Sequence, residues 1–326
     1  MKRAPQHVRV GYFGKLPARG DFIKAAENVA LVAMLDRWLA EVMSRLSVDP
    51  RWKLHYDTMA TLQFAFVGTR SHRAIAGQIH ASSDQSRRRF PFLMMSALDI
   101  GDPGGFAPAC PMVLAGLWSR FACLGAQVLA EADPGPALQL LASSVIEVEP
   151  GGAAHVADFA AFVEHQTLDG LHAMLVSARF PGSVRHVILA LGLLLLPVRD
   201  SGGARPEKSL LLPVPREPGQ RALVASFWLH LIMPFLLQSD VELALFFMEG
   251  KSGPVMVIGF RGADPLTLQA IIDPAIGAEH QIDFEEMEWV DEQIAADHKV
   301  RQLSAYLEQR QLSLKSALGL FHASFI

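Results

Sequence analysis

Cysteine is scarce in this chain. Only Cys110 and Cys123 occur in 326 residues. That excludes a disulfide framework and a four-cysteine zinc site. Both cysteines fall in an apolar helical pattern and read as core thiols, a usage that suits a reducing cytoplasm. No sign of charge dominates: the formal net charge is −4 and the pI about 6.3. A general basic field for nucleic acid is therefore missing, and no nucleic acid partner is expected. Long apolar runs are missing too. The longest, Val187–Val198, falls short of the ~20 residues needed to span a bilayer, so stable membrane insertion is not expected. Lys2 and Arg3 are followed by no apolar run, so no signal peptide is expected. There is no Gly-x-Ser-x-Gly elbow. Gly11-x-x-Gly14-Lys15 is no Walker loop, because two residues instead of four separate the glycines and Leu16 follows the lysine. His165 and His172 stand seven apart without an obvious third ligand, so no metal site is expected.

What is present is a globular chain, 51% hydrophobic and long enough for a sizeable core. The stretch that organises it is Val8–Phe22, VRVGYFGKLPARGDF. Val8, Val10 and Tyr12 alternate at strand period. Gly14 and Pro17 end the strand, and Lys15, Arg19 and Asp21 crowd the turn, with Phe13 and Phe22 placed to pin it. A helix follows over 26–48. Three strand-like runs come next, Thr61–Val67, Ala74–Ala81 and Phe90–Leu98, and their short links favour antiparallel neighbours. Between the second and third lies Ser82–Arg89, SSDQSRRR, the sharpest basic spot in the chain.

The pattern then predicts a loop over 101–111, a helix over 112–131, a short helix over 136–143 and a linker over 147–154. Helices are expected over 156–178, interrupted near Gly170, and over 184–198, whose length and leucine content favour a buried helix. A loop is expected at 200–207, a short strand at 210–214, and a helix at 221–237 that Pro234 bends or ends. Val241–Met248 and Pro254–Phe260 flank a Gly-containing turn and read as a hairpin. Asp264 and Pro265 open a helix. Residues 279–297 are acidic and read as a solvated face rather than a binding tail. An amphipathic helix is expected over 299–320.

Several of these residues carry a family resemblance. GYFGKLPARGDF at Gly11–Phe22 resembles the opening motif of the TagF/ImpM family. Ser82, Asp84, Arg88, Phe90 and Pro91 are similar to a second family pattern, and Phe246–Gly250 with Val257–Pro265 to a third. Ser83 and Arg89 depart from it, standing where the family carries an apolar and an aromatic residue. The resemblance implies an α/β three-layer sandwich, a mixed and largely antiparallel sheet flanked by helices. It implies a TagF-like region at 1–145, a helical segment and hairpin completing the family region at 146–272, and an acidic and helical extension at 273–326. It also implies regulation rather than chemistry. Such proteins are cytoplasmic post-translational repressors of bacterial type VI secretion, linked to its forkhead-associated-domain scaffold protein. No enzyme activity and no cofactor are expected on that basis.

Six polar residues stand out: Lys15, Arg19, Asp21, Ser82, Asp84 and Arg88. Both segments are turns after strands, so they can meet at one sheet edge, with bidentate Arg–Asp pairs. Such a network either clamps two loops or forms a partner surface, and the two roles are compatible. The alternative reading is a phosphate- or phosphopeptide-binding spot built from Lys15, Arg87 and Arg88. A hydrolase set of Ser82, Asp84 and His80 is a poorer one.

Overall fold

The computed structural model describes residues 5–201, 205–237 and 239–326. The predicted loop at 200–207 thus lies partly outside the described residues. The opening stretch forms two strands rather than one, β1 (Gln6–Arg9) and β2 (Gly11–Gly14). They separate at Val10, whose N–H donates to the Ser144 carbonyl, and they join different sheets. β3 (Ile23–Ala25) follows the charged turn. Asn28 caps α1 (Val29–Leu46) by accepting from the Leu31 N–H, and α1 buries Leu35, Trp38, Leu39 and Val42 at helical spacing. After the short α2 (Trp52–Asp57) come β4 (Leu62–Gly68), β5 (Arg73–His80) and β6 (Phe92–Asp99), an antiparallel meander as predicted.

The predicted loop at 101–111 is helical instead. α3 (Pro103–Ala130) starts there because Asp102 caps it through the Gly105 N–H and Pro103 sits in its first turn. α4 (Gly135–Ser143) matches its prediction. The predicted linker is β7 (Val145–Val148) followed by the start of α5 (Ala153–His165). β7 pairs with β1, which gives its backbone groups partners that the Gly-Pro composition hides. The helical break falls at Gln166–Thr167, not Gly170. Thr167 caps α6 (Leu168–Ser177) by accepting from the Gly170 N–H.

α7 (Val184–Asp200), β8 (Ser209–Pro213), α8 (Pro218–Leu236), β9 (Glu242–Gly250), β10 (Gly253–Gly259) and α9 (Pro265–Ile272) follow the pattern closely. α10 (Pro274–His280), β11 (Gln281–Ile282) and α11 (Glu288–Ala296) come next. The acidic residues of this stretch are mostly exposed, while Phe284, Met287 and Val290 point inward. The predicted last helix is two: α12 (His298–Leu307), capped by Asp297, and α13 (Leu314–Phe325), capped by Ser313.

Among the described residues nine strands form one sheet in the order β11-β8-β10-β9-β4-β5-β6-β2-β3. Every pairing is antiparallel except β11 with β8. One face packs on α1, α2 and α9 through Trp38, Tyr56, Phe64, Phe66 and Phe246. The other packs on α3, α7 and α8 through Ala65, Leu117, Trp118, Phe121, Trp228 and Leu245. This is a three-layer α/β sandwich, and its central strands read as near-continuous apolar runs because both faces are covered. By length and composition α3 is apolar enough to cross a bilayer, but half of that span is buried here against the sheet and α8. Cys110 is in the core; Cys123, on the outer side of α3, is exposed, which corrects its reading as a core thiol.

Candidate functional site

Strands β2 and β6 pair at Gly14–Phe92, and β5 pairs with β6 at His80–Phe92. The loop after β2 and the loop between β5 and β6 therefore leave the sheet at the same end. Gly14 makes the exit possible. Its φ is +133°, and any Cβ there would run into the Pro91 carbonyl.

The two loops are locked around Asp84, which is 1% exposed. Its Oδ2 accepts from Lys15 Nζ at 2.9 Å and Arg88 Nε at 2.7 Å. Its Oδ1 accepts from the backbone N–H groups of Ser86 at 3.0 Å and Arg88 at 2.9 Å. Four donors fill the acceptor sites of one carboxylate. Burial pushes the Asp84 pKa upward, but Lys15 and the Arg88 donors outweigh it and hold the group at about 2. Ser82 Oγ donates to the Lys15 carbonyl at 2.7 Å, the Gln85 N–H to the Arg19 carbonyl at 2.9 Å, and Arg88 Nη2 to the Gly20 carbonyl at 3.0 Å. The Tyr56 hydroxyl from α2 donates to the Ser82 carbonyl and accepts from its N–H, both at 3.0 Å.

Of the six residues singled out in the sequence, the fold joins Lys15, Ser82, Asp84 and Arg88 in one network. Arg19 and Asp21 stand outside their network. Arg19 reaches Asp133 at 3.2 Å, and among the described residues Asp21 accepts only from the Phe22 N–H. The expected bidentate pair lies elsewhere. Arg89 Nε and Nη2 grip the two Asp57 oxygens at 2.7 and 2.5 Å, tying the loop to α2 and lowering the Asp57 pKa. The partner across the loop is 32 residues away, a contact no local spacing encodes.

The loops present a distinctive surface. Phe22 is 45% exposed yet stacked on Phe13 at 5.6 Å and edge-on to Phe90 at 4.9 Å. Lys15 Nζ lies 4.8 Å from its ring centroid. Arg87 is exposed, with φ of +59°, as is Arg88, and Arg19 is partly exposed. As a phosphate site the spot is weakened, because Lys15 and Arg88 already share Asp84. The hydrolase set is not assembled: His80 Nδ1 meets Thr61 Oγ1 at 3.1 Å, Ser82 Oγ is spent on a carbonyl, and Asp84 serves cations. Among the described residues no three His, Cys, Asp or Glu side chains gather as metal ligands.

The architecture is that of an α/β sandwich protein whose two motif loops are locked together at one sheet end. Comparison with known families agrees: residues 11–143 match the TagF N-terminal domain, described as type VI secretion system-associated. The match to this type VI secretion system-associated family covers less than half of the chain. No curated protein matches the sequence. Among solved structures it is similar to the crystal structure of PA0076 from Pseudomonas aeruginosa PAO1, at 27% identity and a TM-score of 0.35, over 41% of this chain and 61% of that one.

Proposed function

We propose that this protein is a cytoplasmic post-translational repressor of type VI secretion that binds the forkhead-associated-domain scaffold of that system. It works by occupancy, not by catalysis. The TagF N-terminal domain supports the setting. The observation that carries the mode of action is the loop pair. A buried carboxylate with four donors ties both loops together, Phe22 is exposed with Lys15 against its ring, and the same loops carry Arg19, Arg87 and Arg88. A pre-ordered loop loses little entropy on docking, and aromatic and arginine side chains dominate protein interfaces. The cationic side chains of these loops select an acidic face on the scaffold.

The test pairs two classes of variant in a binding assay with purified scaffold. Phe22→Ala with Arg19→Glu alters the surface and leaves Asp84 served. The expected result is a loss of scaffold binding of at least about tenfold, or ~1.4 kcal/mol, with a melting temperature near wild type. Undiminished binding by a well-folded double variant overturns the assignment of the interface. A wild-type protein that does not bind the scaffold overturns the function.

A further inference from the structure

A second polar feature lies on the opposite side of β5, beneath α3. Residues 74, 76, 78 and 80 of β5 face α3; Ala74 and Ala76 belong to the core there, whereas Gln78 and His80 are polar. Gln78 is 3% exposed, and its side-chain oxygen has no hydrogen-bond partner among the described residues. A buried unpaired amide oxygen costs roughly 1–3 kcal/mol, so such groups are rare unless something else pairs them.

Gln78 lines a cleft of about 370 Å³, with its unpaired oxygen turned inward from it, and the other polar lining is Thr61, Gln63, Arg221 and Glu249. A neighbouring cleft of about 210 Å³ shares Gln63, Arg221 and Phe247 with it and is otherwise lined largely by apolar residues of α3 and α8, including Trp118. The register explains the join, since Gln63 of β4 pairs with both Gln78 and Phe247. Trp118 is fixed in place by its Nε1 donating to the Phe64 carbonyl at 3.1 Å, with its ring edge-on to Phe247 at 5.2 Å.

Charge in the cleft is asymmetric. Glu249 is paired with Arg216 at 2.6 Å. Arg221 forms no ion pair among the described residues; two of its nitrogens donate to the Pro215 and Arg216 carbonyls. Burial lowers its pKa, which marks a guanidinium partly stripped of water. Ligand sites have this composition: an apolar wall with a few convergent polar groups.

We propose that these joined clefts bind a small carboxylic acid with an apolar or aromatic body and an N–H or O–H donor near the carboxylate. The body lies along Trp118 and Phe247, the carboxylate meets Arg221, and a half-turn of the Gln78 amide brings its oxygen to the ligand's donor. Nothing in this site touches the loop pair, so it stands or falls apart from scaffold binding.

N-acetyl-L-phenylalanine is the probe, titrated calorimetrically into the full chain. Saturable binding is expected. 3-Phenylpropanoate, which lacks the N–H, and N-acetylphenylalaninamide, which lacks the carboxylate, are each expected to bind at least about tenfold more weakly. Arg221→Gln weakens the probe by a similar factor. Gln78→Met removes the unpaired oxygen at nearly constant volume, so it raises the melting temperature of the free protein while lowering probe affinity. Those opposite shifts separate a ligand group from a structural one. The proposal is overturned by absence of saturable binding at about 10 mM probe, or by binding that Gln78→Met leaves unchanged.

Discussion

At the scale of single residues, His80 and Asp84 contribute to the acid behaviour of this protein, alongside His230, whose pKa burial also lowers. His80 is 8% exposed, its Nε2 has no partner among the described residues, and burial lowers its pKa to about 4. The unfolded chain binds a proton near pH 6.5, the folded one only near 4. Stability contributed by neutral His80 is complete above 6.5 and declines as pH falls to 4, by up to about 1.4 kcal/mol per unit. Asp84 extends the decline. Its folded pKa of about 2 lies below the ordinary carboxylate value of 3.8, so its contribution is complete above 3.8 and is lost as pH falls through 2. Urea unfolding of wild type and His80→Asn across pH 7 to 3 checks this. The variant is expected to show a shallower decline between 6.5 and 4, the remainder coming from groups such as His230 whose pKa burial also lowers, and to keep the decline below 4; superimposable profiles refute the assignment. The cluster was partly legible, because Ser82, Asp84 and Arg88 form a short motif of turn-forming and charged residues. The orphaned atoms of Gln78 and His80 were not, because which side chains lack partners depends on what α3 lays over them.

At the scale of elements, α3 shows how a helix buys closeness to a sheet. Gly125 faces β5, and a Cβ there would sit 2.6 Å from Met94 Cε and 2.8 Å from His80 Nε2. An alanine favours helix by up to about 1 kcal/mol, but overpacking at such contacts costs typically 1–3 kcal/mol. Gly125→Ala is therefore expected to destabilise by about 1–2 kcal/mol, measured by chemical denaturation. A gain in stability would show that α3 has room to move outward. Gly116 of the same helix has open space at its Cβ position, so Gly116→Ala serves as the control and gains the helix-propensity term. The first turns of α3 and all of β7 were hidden in sequence for one reason. Gly and Pro are local breakers, and here a capping Asp102 and a distant β1 supply what the breakers remove.

At the scale of the molecule, residues 273–326 are part of the body. Phe284, Val290, Val300, Leu303, Leu307, Phe321 and Phe325 are all buried in the core that includes α7 and α8. Phe325 closes over Gly192, where a Cβ would collide with its ring. Each fully buried side chain of this kind contributes roughly 1.5–3 kcal/mol, so removing seven forfeits about 10–21 kcal/mol, as much as the whole 5–15 kcal/mol that a domain typically retains. A chain ending at Asp273 is expected to lose its cooperative thermal transition by circular dichroism and to expose the α7–α8 face. A sharp melt within a few degrees of wild type would mean that the TagF-containing part folds alone.

The sequence by itself determined the meander of β4, β5 and β6, the β9–β10 hairpin and the buried α7. Each rests on local periodicity, turn chemistry or length, and neighbours along the chain settle those. It also allowed the turns carrying Lys15 and Asp84 to meet at one sheet edge, because both follow strands, and the fold makes them meet. Only the tertiary structure decided that Arg89 grips Asp57, that Arg19 and Asp21 leave the network, and that Trp118, Gln78 and Arg221 line joined clefts. Those pairs are separated by tens of residues or more. Their contacts depend on sheet order and on how α3 and α8 lie across it, which the interlocking of the whole core determines and no local pattern encodes.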